Sequence, residues 1–143
     1  MANGLPRPAL VPELYVADIG ASRAFYVDML GFEVQYERPE DGFLYVARQG
    51  AELMLESGDV GRKWLTGALE RPYGRGINFE IATEDVDDLY DRVRARGAAI
   101  FLEMETQWYR RNDVELGVRQ FIVQDPDGYL LRFSKAVAER PVA

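Results

Sequence analysis

Val16-Ala17-Asp18-Ile19-Gly20-Ala21-Ser22-Arg23-Ala24-Phe25-Tyr26-Val27-Asp28-Met29-Leu30-Gly31-Phe32 decides the fold, because the chain writes its pattern twice. Ile81-Ala82-Thr83 leads in the same way through Val86, Leu89 and Tyr90 into Arg96-Gly97. The first copy closes on Gly50-Ala51-Glu52-Leu53-Met54-Leu55-Glu56, the second on Gly128-Tyr129-Leu130-Leu131-Arg132-Phe133-Ser134. Each copy reads as strand, amphipathic helix, glycine and three strands. A repeat at this scale sets the architecture before any single residue does. Two copies predict a pseudo-symmetric α+β pair of βαβββ modules and not a solenoid.

Around this stretch the local signals agree. Leu10 to Val16 reads as a first strand, with Pro12 near its start. Asp18 and Ser22 are helix-start residues by N-cap chemistry, and Gly31 stands where a C-terminal cap belongs. Phe32-Glu33-Val34-Gln35-Tyr36 alternates as a half-buried strand does. Phe43–Arg48 and Glu52–Glu56 complete the first module, residues 10–57. Residues 58–75, with Gly58, Pro72 and further glycines, form a linker in which Trp64 and Leu65 predict a short packed or helical segment. The second module spans 76–135: a strand at Ile77–Ile81, a helix from Asp85 to Gly97 with acids early and arginines late, and strands at Ala99–Glu105, Val118–Gln124 and Tyr129–Lys135. Thr106–Asp113 reads as an inserted loop, and the tail 136–143 as a fraying end. Its Trp108 and Tyr109 either anchor that loop on the sheet or form a lid over a ligand.

Composition excludes several functions. The 143-residue chain has no histidine and no cysteine. That removes disulfides, thiolate metal sites, cysteine nucleophiles and any histidine triad. A metal site would have to be built of carboxylates, which suits Mg²⁺ or Ca²⁺. The net charge of −7 opposes nucleic-acid binding and is compatible with a cationic ligand. No segment approaches the ~20 apolar residues of a membrane span, and the N-terminus lacks a signal-peptide pattern, so a cytoplasmic location is expected.

The combination Val16-x-Asp18-x3-Ser22-x2-Phe25-Tyr26, Leu30-Gly31-Phe32 and Asp125-Pro126-Asp127-Gly128-Tyr129 resembles the vicinal oxygen chelate superfamily. This group includes glyoxalase I, extradiol dioxygenases, fosfomycin-resistance enzymes and the metal-free bleomycin-binding proteins. The resemblance covers about residues 10 to 135 and implies two βαβββ modules whose curled mixed sheets form a cup, usually completed by dimerisation. Carried over residue by residue, the metal-ligand positions of the metal-dependent members fall on Val11, Met54, Gly76 and Arg132. None is a usual ligand for a hard ion, and Arg132 puts a fixed positive charge there. A two-residue slip would substitute Glu13, Asn78 or Glu56. No metal and no cofactor are therefore expected.

Alternation along the strands then turns Glu13, Tyr15, Met54, Asn78, Glu80, Glu103 and Arg132 into the cup. Tyr45, Trp108, Tyr109 and Arg119 join them as candidate lining residues. Glu13 and Glu80 either pair with Arg132 or another arginine, or meet a ligand cation. Arg110 and Arg111 are solvated or recognise an anionic group. The function implied is a homodimeric, metal-free antibiotic-resistance protein that sequesters a cationic, aromatic small molecule. The alternatives are an enzyme of the same superfamily with an atypical or absent metal, using a Glu as general base, and a module that binds a protein partner.

Overall fold

The structure, a computed structural model, describes residues 8–57 and 64–143. It divides into two compact units with the boundary between Thr66 and Gly67. The first unit runs β1 (Glu13–Val16), α1 (Ile19–Arg23, continued by a π-helical turn Ala24–Met29), β2 (Glu33–Arg38), β3 (Phe43–Arg48) and β4 (Ala51–Ser57). The second runs β5 (Asn78–Ala82), α2 (Val86–Ala95), β6 (Ala99–Arg111), β7 (Val114–Gln124) and β8 (Leu130–Pro141). The sheets have orders β1-β4-β3-β2 and β5-β8-β7-β6, so the topology is the same in both. In each, the first and last strands are parallel and the other pairings antiparallel. The predicted α+β class and the βαβββ topology of each copy are both observed.

The local causes are those the sequence offered. Asp18 accepts hydrogen bonds from the Gly20 and Ala21 N–H groups and starts α1, while Ser22 lies buried inside that helix. Gly31 (φ 83°) and Gly97 (φ 74°) end the two helical segments in the left-handed conformation that favours glycine. One face of the first sheet buries Leu14, Val16, Leu44, Val46, Leu53 and Leu55, and the helical segment contributes buried Phe25, Tyr26 and Leu30. Buried Arg48 donates from Nε to the Leu30 carbonyl, 2.9 Å away, satisfying a helix-end acceptor. In the second sheet Phe121, Val123, Leu131 and Phe133 take the same role beneath Val86, Leu89 and Val93 of α2. The opposite face of each sheet is the one that carries polar groups.

Four expectations are corrected. Residues 106–113 are not an inserted loop: β6 and β7 continue as a long hairpin, with Arg111 paired to Val114 across a two-residue turn at Asn112-Asp113. Asn112 takes φ 59°, a conformation asparagine tolerates. The tail does not fray; Ala136 to Pro141 extend β8 alongside β7 as far as Val114. The segment called a linker is divided. Its residues 58–63 lie outside those described, and the remainder beyond Thr66 belongs to the second unit. There Arg71 donates to the Pro126 carbonyl (2.6 Å) and the Asp127 carboxylate (3.0 Å), and the Tyr73 N–H donates to the Asp127 carbonyl at 2.8 Å. Trp64 is not buried: it is largely exposed, and its backbone N–H donates to Tyr15 Oη at 2.8 Å. Among the described residues no helix is long and apolar enough to cross a membrane.

Candidate functional site

On the first sheet, register builds two rows on the face away from the helix. One row runs Tyr36, Tyr45, Met54, Glu13; the next runs Arg38, Phe43, Glu56, Tyr15. The Tyr36 and Tyr45 rings stack with centroids 5.0 Å apart, and Phe43 lies 5.9 Å from Tyr36. The Arg38 guanidinium sits 3.9 Å over the Phe43 ring, a cation–π contact. Tyr45 donates to Glu52 at 2.5 Å. Glu56 is only 9% exposed, yet among the described residues neither it nor Glu13 has a hydrogen-bond or ion-pair partner. Burial pushes the Glu56 carboxyl up from its ordinary value, the Glu13 charge adds to this, and Arg38 opposes it.

The second sheet presents a connected polar network. Arg132 donates from Nε to Asn78 (3.0 Å) and from Nη1 to Glu80 (3.0 Å) and Gln120 (3.4 Å). Buried Gln120 donates in turn to Glu105 (2.8 Å) and to Tyr109 Oη (2.7 Å). The pairing of Glu80 with Arg132 is thus formed, while Glu13 has no arginine partner among the described residues. Arg132 is partly buried, its side chain 26% exposed.

Three candidates leave this face. Glu103 turns to α2, meeting Tyr90 Oη and lying 3.9 Å from Arg94. Two register shifts in β6, between Ile100 and Leu102 and between Leu102 and Glu105, break the simple alternation that placed it inward. Arg119 also turns to α2 and pairs with Asp87 at 2.7 Å. Trp108 and Tyr109 are neighbours on one strand, so they point to opposite faces. Tyr109 joins the network, whereas Trp108 lies against Gly117 and under the Arg140 guanidinium, 3.8 Å from its ring. Trp108→Ala is therefore expected to cost about 1–2 kcal/mol of stability through lost packing and cation–π contact. Calorimetric melting read beside a binding titration checks this; binding at the polar face should be unaltered.

Gln120, Glu105 and Glu56 are the residues that sequence reasoning undervalued. For Gln120 the signal was present: it stands two positions before Ile122, the cross-strand partner of Arg132, and so shares its face.

The register also moves the positions that the resemblance assigns to a metal. Val11 and Gly76 precede β1 and β5, and the residues opposite Met54 and Arg132 are Glu13 and Glu80. In the first unit the pair offers a carboxylate and a thioether, and in the second a guanidinium and the carboxylate bonded to it. Among the described residues no group of three or more His, Cys, Asp or Glu side chains is arranged to hold a metal ion. These residues do not fit a hard divalent ion, which needs several oxygen donors.

Comparison with known proteins agrees with the fold. A family model described as the Glyoxalase/Bleomycin resistance protein/Dioxygenase superfamily matches residues 9–133. A bleomycin resistance protein of Geobacillus stearothermophilus is 29% identical over 137 residues, covering 89% of this chain and 96% of the relative; one of Staphylococcus aureus gives the same figures. Among solved structures, a glyoxalase/bleomycin resistance protein/dioxygenase from Alicyclobacillus acidocaldarius has TM-score 0.64 at 20% identity, covering 96% of each chain. TioX from Micromonospora sp. ML1 has TM-score 0.66 at 21% identity, covering 91% of this chain and 99% of its own. These two share the fold.

Proposed function

The chain belongs to the Glyoxalase/Bleomycin resistance protein/Dioxygenase superfamily, and on that basis we propose that it sequesters a small cationic, aromatic molecule without a metal. The observation that carries the reading is the pair Glu13 and Glu56 on one sheet face beside the Tyr36–Tyr45 stack. Glu56 is largely shielded from water and neither carboxylate has a hydrogen-bond partner among the described residues, so a ligand cation would supply a complementary charge there. The exposed Tyr36 ring, backed by buried Tyr45, offers flat groups a stacking surface. The names of the bleomycin resistance relatives favour a drug of that class as the ligand and resistance as the role. In this proposal the protein acts in the cytoplasm as a homodimer whose assembly completes the cup.

Isothermal titration with metal-free bleomycin tests the proposal: a saturable heat is expected, and none at concentrations well above micromolar sinks it. Mass measurement in solution tests the dimer. A second reading, an enzyme using Glu56 as general base, is favoured by the raised carboxyl of that residue. Elemental analysis of protein purified without chelator bears on both readings. Near-stoichiometric Mn, Fe, Ni or Zn would overturn the metal-free assignment.

A further inference from the structure

We infer that Arg132 is an oxygen anchor: its Nη2 group binds a carbonyl or carboxylate oxygen of an aromatic ligand on the polar face of the second sheet. The inference rests on the ligand-binding reading proposed above and extends it to the polar face of the second sheet. A guanidinium has five N–H donors and no acceptor. Here Nε is committed to Asn78 and Nη1 to Glu80 and Gln120, while Nη2 has no partner among the described residues.

The group is also held in place. Gln120 is buried, and its amide nitrogen donates to both Glu105 and Tyr109. Its amide oxygen must therefore face Arg132, which fixes the amide orientation and supports the guanidinium from β7. Asn78 and Glu80 hold it from β5. A planar fork fixed by three side chains, with one pair of donors left over, is preorganised for an incoming acceptor. Because Glu80 neutralises much of its charge, the site suits a neutral carbonyl as well as a carboxylate. The adjacent Tyr109 ring, 42% exposed, supplies aromatic contact.

Three probes of similar shape test this: benzoate, benzamide and benzylamine, titrated against protein labelled with ¹⁵N-arginine. Benzoate and benzamide are expected to shift the Arg132 side-chain resonances and to bind about tenfold more weakly to Arg132→Gln. Benzylamine, which offers no oxygen acceptor, is expected to do neither. Glu80→Gln should raise affinity for benzoate more than for benzamide, separating the charged from the neutral acceptor. Arg132→Lys should recover part of the benzoate affinity, and thermal melts confirm that each variant is folded.

The inference is overturned if benzoate and benzamide leave the Arg132 resonances unmoved, or bind folded Arg132→Gln as well as the parent. Bleomycin binding with both acceptor probes inert removes the anchor and leaves the sequestration reading standing. Acceptor binding that depends on Arg132, in a protein that ignores bleomycin, keeps the anchor and removes that reading.

Discussion

Gly128→Ala is expected to destabilise the protein by about 2–5 kcal/mol, a large part of the ~5–15 kcal/mol that holds a typical domain folded. Gly128 has φ +106°, where an alanine is strained whatever the space. Its new Cβ would stand 2.5 Å from Pro72 Cβ, 2.7 Å from Pro72 Cα and 3.0 Å from the Tyr73 nitrogen. These are largely backbone atoms, and they cannot swing aside as a side-chain tip would. The neighbourhood is also tied down: Asp125 accepts hydrogen bonds from the Asp127, Gly128 and Tyr129 N–H groups, at 2.8–2.9 Å. Overpacking against fixed atoms adds to the backbone strain. The control is Gly50→Ala, at the equivalent turn of the first module. There φ is +90° but nothing lies within 4 Å of the added carbon, so only the strain of about 1–2 kcal/mol is expected. Thermal denaturation of both variants decides the matter; equal losses would show that the contact with Pro72 and Tyr73 is unimportant.

Glu56→Gln should make the protein more stable and a poorer binder. The folded state holds the Glu56 proton more tightly than the unfolded chain does, because burial and Glu13 disfavour its charge. Below the ordinary carboxyl value both states are protonated, and parent and variant are expected to melt alike. As pH rises from that value through the raised one, the parent loses stability because the unfolded chain ionises more readily. At neutral pH the variant is therefore expected to melt at a higher temperature than the parent. Affinity for bleomycin should move the other way, falling about tenfold to hundredfold, as expected when a hydrogen bond to a charged group is lost. In the parent, affinity should climb as pH rises through the raised carboxyl value. Melting curves from pH 4 to 8 and titrations at matched pH measure both. A variant that binds as well as the parent would remove Glu56 from the site.

The repeat, the helix caps and the apolar faces could be read from the chain because they depend on local periodicity and on single-residue chemistry. Asp18 and Gly31 announce the ends of their helical segment, and the alternation in β1 and β4 sorts Leu14 and Leu55 from Glu13 and Glu56. Register was harder to read. Counting back five residues from Val16 and Ile81 chose Val11 and Gly76 to share the cup with Met54 and Arg132, whereas strand pairing sets Glu13 beside Met54 and Glu80 beside Arg132. The shift is two residues in the first module and four in the second, and an even shift preserves the face, so alternation gave no warning. The bulges of β6 were invisible for the opposite reason: they change the face, and with it the direction of Glu103, without leaving a glycine or proline at the shift. Thr106–Asp113 looked like a loop because its polar residues resemble one, although each has a partner on β7 except the two that turn.

The placement of the two tryptophans gives each unit its own optical reporter. Trp64 stands in water at the end of the first unit, while Trp108 is shielded by Arg140 in the hairpin of the second. A quencher in solution should reach the former far more readily than the latter. Removing either indole by substitution with phenylalanine therefore leaves a signal that belongs to one repeat alone. Denaturation followed through the two signals would reveal whether the ancestral halves still melt separately or have become a single cooperative body.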